Sequence, residues 1–423
     1  MSHLSIALRR SVAAIAVAMF VLDLSACNSS GNSFAPGGAL GGVRGANGPI
    51  LSQGYNWYTV DDHLGSRNQV TGINDSLQIV GNYTNSGSSC TATSGEKGTS
   101  CADCPLVAGG TGQNNKTWYS YTSSYTTGYT SFTPLQYPRA KSQYLNGISN
   151  QGTGTGIEVG CLIDLGNAGG GLDETWGAAV NNGLWSAFRT PSSGTGCNAN
   201  QIGEAFGIGT VASTNIGYQV GFKNNLITAN NCPFVPWIVE IGDDLSWGVD
   251  VTFSTSGVTP VSVEATGIDS GANFVVGSAT VSTKTTSAGL RGWYGTLADV
   301  TPKTTGQAAN YETTAWSYKN TGDPTSFTGV RVAGTEPKIV GWYTAGTGTH
   351  GFVLTITASG HTWSDPLDAP GSDEYTVISG TDSNGDICGW YKDSGGTIHG
   401  FAAMLAAIGE HRKHHHGTAG PRT

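Results

Sequence analysis

The sequence has few charged residues, and no segment shows a long helical pattern of apolar residues. Only 12% of the 423 residues are Asp, Glu, Lys or Arg, whereas 64 are glycine. Glycine, serine, threonine and asparagine interrupt the chain every few residues, so apolar residues do not keep the 3.6-residue spacing of an amphipathic helix. This scarcity excludes a mainly helical protein, and the length suffices for one large β-domain.

Basic residues are scarce as well. Lys and Arg number 20 against 29 Asp and Glu, which gives a net charge of −9 at pH 7. Binding to nucleic acid needs a basic patch that neutralises phosphates, so the composition argues against a nucleic-acid partner.

Recognisable catalytic motifs are missing too. The chain has no G-x-S-x-G, H-E-x-x-H or P-loop motif, and the spacing Gly207-Ile-Gly209-x-x-Ala212 lacks the strand–helix context of a dinucleotide site. We therefore predict no catalytic residue, no metal site and no cofactor.

A repeat built on a central glycine is abundant instead. Gln78–Tyr83, Lys338–Tyr343 and Asp386–Tyr391 read QIVGNY, KIVGWY and DICGWY, and degenerate copies lie between them. The six central glycines are Gly81, Gly160, Gly221, Gly277, Gly341 and Gly389. Their spacing of 48 to 79 residues is typical of propeller blades lengthened by insertions.

Each repeat unit is predicted to contain about four short strands. Tyr375–Gly380 and Asp386–Tyr391 are interpreted as antiparallel strands joined at Asn384-Gly385, since Asn-Gly is a strong hairpin signal that places both residues at positive φ. Both sides of the second strand are apolar, which indicates a strand covered on both faces. Its central glycine indicates close approach of another backbone or of a large aromatic ring.

The third strand begins with His-Gly-Phe, as at His399–Phe401, and His361–Asp368 forms the fourth strand of the preceding unit. The last unit has no fourth strand of its own, whereas Tyr55–Asp61 repeats the pattern of His361–Asp368. Because an unpaired edge strand is a liability, we expect Tyr55–Asp61 to pair with Ile398–Leu405. The predicted fold is an all-β, six-bladed β-propeller, closed by pairing of its N- and C-terminal strands.

The first 26 residues have the pattern of an export signal. An Arg-Arg pair at residues 9–10 precedes the short apolar segment Ser11–Leu22, which is too short for a comfortable membrane span. Leu24-Ser25-Ala26-Cys27 follows and resembles the lipobox of bacterial lipoproteins, in which the Cys carries lipid and becomes the first mature residue.

This resemblance implies a signal peptide over 1–26, lipidation at Cys27, and export to the outer membrane or cell surface. The alternative is an ordinary cleaved signal peptide with a chance cysteine. Residues 27–52, rich in Gly, Ser, Asn and Pro, are predicted to be a flexible tether. The propeller is assigned to 55–405, and 406–423 is predicted to be a disordered, polar, His-rich tail, with a metal site in His411–His416 as the alternative.

The repeats resemble the HAF family of probable extracellular repeats. The family pattern reads GIN-[DS]-G-x-IVG-x-Y, then D-x-x-G-x-x-HGF, then LD-x-PG, and it is matched here by Gly72–Tyr83, Asp393–Phe401 and Leu367–Gly371. The resemblance covers the first and last thirds of the mature chain. It implies a propeller-like, exported protein and carries no specific chemistry.

Eight cysteines allow disulfides in an exported protein, but lipidation of Cys27 leaves an odd number. Cys388 replaces the Val of the I-V-G pattern and is predicted to be a buried thiol. A half zinc site or a redox pair is the alternative for the Cys-x-x-Cys at residues 101 and 104. The cysteines predicted to form disulfides are Cys197 with Cys232, and Cys90, Cys101 and Cys104 within one insertion.

One aromatic segment, Asn115–Phe132, is the candidate ligand site. Rings interleaved with hydroxyl side chains suit stacking on sugars or recognition of a protein. In the alternative, the aromatics alternate along a strand pair that packs on the blade, with Gly128 in the turn. The candidate ligand-binding residues are Trp118, Tyr119, Tyr121, Tyr125 and Tyr129.

Two further sets of residues have a structural and a functional interpretation. His350 and His399 recur at the same repeat position, and we favour a structural role over ligand binding. Asp382, Asn384 and Asp386 have the spacing of a calcium loop, but no Glu follows at the required distance, so a turn is favoured.

These features predict a lipid-anchored binding or scaffolding module at the bacterial cell envelope, with a glycan or an envelope protein as its partner. Two alternatives remain: an enzyme that acts on polysaccharide at the propeller face, and a purely structural envelope protein.

Overall fold

The computed structural model shows an all-β chain. It describes residues 49–61, 67–84, 119–135, 140–150, 158–164, 175–181, 184–188, 202–211, 216–224, 235–240, 246–283, 289–301 and 309–406. Among these residues, no helix combines the length and the apolar character needed to span a bilayer.

Strands account for nearly all regular structure in the described part of the chain. The one α-helical segment there is a single turn, α1 (Leu297–Val300), and 3-10 turns occur at Tyr125–Thr127 and Tyr318–Asn320. The strands are β1 (Ile50–Ser52), β2 (Tyr55–Val60), β3 (Arg67–Ile73), β4 (Gln78–Thr84), β5 (Tyr119–Ser124), β6 (Thr133–Leu135), β7 (Ala140–Ile148), β8 (Glu158–Asp164), β9 (Thr175–Asn181), β10 (Leu184–Phe188), β11 (Ile202–Val211), β12 (Ile216–Asn224), β13 (Val235–Glu240), β14 (Ser246–Phe253), β15 (Val258–Ile268), β16 (Phe274–Thr283), β17 (Gly289–Thr296), β18 (Ala309–Thr313), β19 (Thr325–Ala333), β20 (Glu336–Ala345), β21 (Gly348–Thr357), β22 (Gly360–Trp363), β23 (Thr376–Thr381), β24 (Ile387–Lys392) and β25 (Ile398–Leu405).

The strands form six repeat units, each an antiparallel up-and-down sheet. Units 1 to 5 begin at β3, β7, β11, β15 and β19, and unit 6 has the strand order β23-β24-β25-β2-β1. Units 6 and 1 share a single parallel bridge between Ile398 and Arg67, which merges them into one nine-stranded sheet. The insertion strand β18 pairs in parallel with β14 of unit 3.

The second strand of a unit is buried on both faces, as its sequence predicts. In β20, Ile339, Val340, Trp342 and Tyr343 are all buried, although they point alternately to opposite sides of the sheet.

The central glycine of each second strand lies opposite an aromatic residue of the third strand in five units. A Cβ atom at Gly389 would lie 2.9 Å from the Phe401 ring and would collide with the carbonyl of Val377. The predicted close approach to the glycine is therefore confirmed. The five pairs are Gly81–Tyr121, Gly221–Trp237, Gly277–Trp293, Gly341–Phe352 and Gly389–Phe401.

The first strand of each unit carries a β-bulge followed by a glycine, and in at least five units this glycine approaches the next unit. A Cβ atom at Gly329 would lie 3.2 Å from Cα of Gly380, and one at Gly380 would lie 3.7 Å from Cα of Gly72. At the bulge, one residue per unit is left without a partner residue on the adjacent strand. The six bulge residues are Thr71, Asn146, Phe206, Thr266, Thr328 and Ser379.

Five of the six bulge side chains donate a hydrogen bond to a backbone carbonyl of the following unit. Phe206 in unit 3 has no polar group and is the exception. The donors and acceptors are Thr71 to Leu145 (2.5 Å), Asn146 to Ala205 (3.0 Å), Thr266 to Phe327, Thr328 to Ile378 (2.6 Å) and, from the last unit back to the first, Ser379 to Val70 (2.7 Å).

The N-terminal strand completes unit 6. Strand β2 pairs with β25 from Tyr55 opposite Leu405 to Val60 opposite Gly400, which is the pairing predicted for these two segments. Trp57 packs on Phe401 with ring centroids 4.9 Å apart. The matching pair in unit 5, Trp363 and Phe352, has centroids 5.1 Å apart, so β2 corresponds to β22.

Two details of the prediction are wrong. Ile50–Ser52, assigned to the tether, form β1, because the turn at Gln53-Gly54 lets them pair with β2. At Asn384-Gly385 only Gly385 has positive φ, at 99°. The turn is stabilised by Asp382 instead, whose carboxylate accepts from the Gly385 and Asp386 N–H groups at 2.8 and 2.9 Å.

Candidate functional site

The candidate aromatic segment divides into buried and exposed rings. Tyr121 is fully buried opposite Gly81, and Tyr129 is 2% exposed, so neither ring is available for stacking on a ligand. Tyr125, 44% exposed, lies on the 3-10 turn that ends at Gly128. The alternative of a strand packed on the blade therefore describes Tyr121, whereas Tyr129 is buried in the turn between β5 and β6. Trp118 and the side chain of Tyr119 lie outside the described residues.

Tyr125 forms a surface with Tyr58, a residue that the sequence did not single out. The two rings meet edge to face with centroids 5.5 Å apart, and the Tyr58 hydroxyl donates to the Tyr125 hydroxyl at 3.3 Å. Tyr58 comes from β2, so this tyrosine surface joins the fourth strand of unit 6 to unit 1. Tyr58 and Tyr125 are 67 residues apart, so no local sequence pattern indicates that their rings meet.

The base of the tyrosine surface is held by backbone contacts. The Tyr129 hydroxyl donates to the carbonyl of Leu77 at 3.1 Å, and the Tyr125 N–H donates to the same carbonyl at 3.2 Å. Leu77 and Tyr129 both have left-handed backbone conformations, with φ of 55° and 57°. Side chains rarely adopt this conformation, so surrounding contacts must hold it.

Both supporting phenols stay protonated. Burial and the hydrogen bond with Tyr125 raise the pKa of Tyr58, and burial raises the pKa of Tyr129. The two phenols that pack against Tyr125 are therefore uncharged, and Ser124 and Thr126 add two hydroxyls that lie 2.8 Å apart.

The recurring histidines occupy matching positions, and each contacts an aspartate. His350 Nδ1 lies 2.9 Å from Asp368 of its own unit, and His399 Nδ1 lies 2.7 Å from Asp61 at the end of β2. His399 Nε2 also lies 3.2 Å from Asp393. Hydrogen bonding to Asp61 raises the pKa of His399. These contacts link strands within a unit, in agreement with a structural role.

The aspartates of the Asp382–Asp386 turn form a buried pair. Burial, together with the charge of Asp386, raises the pKa of Asp382 to about 7. Burial also raises the pKa of Asp386, whose carboxylate accepts from the Leu405 N–H at 2.7 Å. The neighbouring Ser383 bonds to both carboxylate oxygens of Asp75, in unit 1, at 2.8 and 2.6 Å. The carboxylates of Asp75, Asp382 and Asp386 thus accept hydrogen bonds from other groups of the protein.

Cys388 is a fully buried thiol, as predicted, and Ser379 Oγ lies 3.5 Å from its sulfur. The lipidation site Cys27, the predicted disulfide residues Cys90, Cys101, Cys104, Cys197 and Cys232, and the tail 407–423 lie outside the described residues.

No protein-family model and no curated protein matches the chain. Solved structures similar to it include the β-propeller domain of the Trilobed protease from Pyrococcus furiosus (TM-score 0.37, 8% identity, covering 79% of this chain and 80% of that one). A protein of unknown function from Dyadobacter fermentans DSM 18053 gives 0.42 and 11%, covering 86% and 100%. The α-L-arabinanase of Penicillium chrysogenum, complexed with arabinobiose, gives 0.43 and 11%, covering 82% and 98%.

Proposed function

We propose that the six units form a six-bladed β-propeller closed into a ring. The observation that supports closure is the Ser379–Val70 hydrogen bond, which repeats between the last and first units the contact made at four other unit boundaries. The pairing of β2 with β25 supports it independently, because it joins residues near the two ends of the chain.

We propose further that the protein is an exported lipoprotein of the cell envelope, related to the HAF repeat proteins. The leader and the Leu24–Cys27 motif support this address. Lipid chains contribute about 0.8 kcal/mol per buried CH₂, so a multiply acylated Cys27 would hold the protein firmly at a membrane.

Replacing Cys27 tests the address. The Cys27→Ser variant cannot be lipidated and is expected in the soluble fraction, whereas the wild type is expected in the membrane fraction. Mass spectrometry of the wild type should find acyl chains on Cys27. If the mature protein begins at another residue and is unmodified, the proposed lipidation is wrong, but the proposed fold is unaffected.

The function that the site supports best is binding of an uncharged glycan, with the propeller as its rigid scaffold. The observation that carries it is the exposed Tyr125 ring, edge to face with Tyr58 on a base fixed by Leu77 and Tyr129. Aromatic rings with hydroxyl groups provide contact area on a sugar face and hydrogen bonds at its edge.

A glycan array probed with the mature Cys27→Ser protein tests this function. Tyr125→Ala is expected to lower affinity at least tenfold, since losing an aromatic anchor costs more than about 1.4 kcal/mol. Val261→Ala, at another exposed apolar side chain (51% exposed), serves as the matched control and should bind normally. Retention of wild-type affinity in Tyr125→Ala removes the tyrosine surface as the site.

A further inference from the structure

Three titratable side chains meet where β2, near the N-terminus, pairs with β25, near the C-terminus. His399 lies between Asp61 and Asp393, with one ring nitrogen near each carboxylate. Asp61 follows β2, Asp393 belongs to the turn between β24 and β25, and His399 is on β25. We call this set the His399 bridge.

The bridge is partly shielded from water. The His399 side chain is 21% exposed, and its ring stacks on Tyr391 with centroids 5.1 Å apart. The Tyr391 hydroxyl lies 3.3 Å from Thr59 Oγ1 of β2. A protonated imidazole can donate from both nitrogens at once, whereas a neutral one donates from only one.

We propose that the His399 bridge is a pH-sensitive clamp on the N-terminal strand, closed at mildly acidic pH and loosened at alkaline pH. When the imidazole loses a proton, one of its two carboxylate contacts loses its donor and the charge attraction on Asp61 disappears. The strand most directly affected is β2, because Asp61 is its link to the bridge.

Two cationic residues lie on the strands beside the bridge. Lys392, on β24, places Nζ 5.0 Å from the ring centroid of Tyr375. Arg67, on β3, pairs through its backbone with Ile398 beside the histidine. Among the described residues, the carboxylates in contact with His399 are those of Asp61 and Asp393.

The direction of the pH effect follows from the proton balance. The pKa of His399 is raised above its ordinary value of 6.5, so the folded strand binds a proton more tightly than the released strand. The contribution is complete below about pH 6.5 and is lost as the pH rises through the higher value. Burial raises the pKa of Asp393, but hydrogen bonds from Thr397 and His399 outweigh it and lower it overall, so this carboxylate stays charged throughout.

Unit 5 provides a matched control. His350 occupies the same position and contacts Asp368, but the residue corresponding to Asp393 there is Ala345, which carries no carboxylate. His350 also lies in a unit whose strands are consecutive in sequence.

Hydrogen exchange of the mature full-length Cys27→Ser protein tests the clamp. Protection factors, which correct for the intrinsic pH dependence of exchange, are compared for peptides covering β2 and β22 at about pH 6 and pH 8.5. We expect β2 protection to fall at the higher pH several-fold more than β22 protection, because the folded strand binds the His399 proton more tightly than the released strand.

Variants distinguish the clamp from a general loosening. His399→Gln should show the low β2 protection at both pH values, and His350→Gln should leave the β2 response intact. If His399→Gln does not fold, Asp393→Asn, which keeps the oxygen that accepts from Gly395 and Thr397, should halve the response or more. Equal β2 protection at both pH values in the wild type overturns the proposal, as does an identical effect of His350→Gln.

Discussion

At the scale of single residues, the central glycine of each second strand is the position where a side chain fits least. Gly389→Ala would push a methyl group into the Phe401 ring and the Val377 carbonyl, neither of which can move without displacing a neighbouring strand. We expect a loss of about 3 kcal/mol or more in the free energy of unfolding. Urea denaturation measures it.

The control for this substitution is Gly289→Ala, whose added Cβ meets the flexible end of Arg291 at 3.3 Å. It should change stability by less than about 1 kcal/mol. Similar values for the two variants would show that the Gly–aromatic contact does not limit the fold.

The buried Asp382–Asp386 pair gives a second prediction at the residue scale. Because the folded pKa of Asp382 is raised to about 7, the native protein holds a proton that the unfolded chain releases near pH 4. The free energy of unfolding should therefore fall as the pH rises from about 4 to about 7.

Asp382→Asn should remove much of this pH dependence and raise stability at neutral pH. The substitution keeps the accepting oxygen, and unit 1 already uses Asn74 in this way to accept from the Ser76 and Gln78 N–H groups. Thermal melts of both proteins at about pH 4.5, 6 and 7.5 measure the effect. Parallel pH profiles for the two proteins would contradict the raised pKa.

At the scale of strands and sheets, the bulge hydrogen bonds act between units. In Thr328→Val the side chain keeps its shape but no longer donates to the carbonyl of Ile378. Losing this buried hydrogen bond should cost about 1 kcal/mol, whereas Thr328→Ser, which keeps the donor, should cost less. Chemical denaturation compares them, and a loss in Thr328→Val no larger than that in Thr328→Ser would show that the bulge hydrogen bond contributes little to stability.

Much of the strand pattern can be predicted from sequence, because each unit repeats a short local signal. The glycine of IVGWY, the His-Gly-Phe start of the third strand and the Trp of the fourth mark strands whose pairing follows from chain order. The bulges cannot be predicted in this way, because Thr328 and Ser379 resemble ordinary strand residues until the neighbouring unit supplies their acceptor.

The candidate site is less predictable for the same reason. The aromatic segment attracts attention as a whole, yet burial separates Tyr121 and Tyr129 from Tyr125, and burial depends on the fit against β4 and Leu77. Tyr58 joins the surface only because β2 crosses from the N-terminus to unit 6. Sequence periodicity carries no information about contacts of that range.

At the scale of the whole molecule, the N-terminal strand should be essential to every unit. It places Tyr55, Trp57 and Val60 in the core and covers the edge of β25. Burying one large side chain contributes a few kcal/mol, which is a large share of the 5–15 kcal/mol that stabilises a typical domain. In a closed ring this loss cannot stay local, because units 6 and 1 are also joined through Ser379 and Asp75.

Two deletions in the Cys27→Ser protein separate these effects. Removing residues 28–48 takes away only part of the predicted tether and should leave the melting temperature unchanged. Removing residues 28–61 takes away β1 and β2 as well and should lower it by more than about 10 °C, or abolish the cooperative transition, although a minor part of the domain is lost. The drop in melting temperature should be the same for tryptophans of unit 4, such as Trp293, and of unit 6, such as Trp390. A ring that is opened between two units loses stability in every unit. If the longer deletion melts like the shorter one, or if only unit 6 loosens, the units are held together by neighbour contacts alone and the ring is not closed.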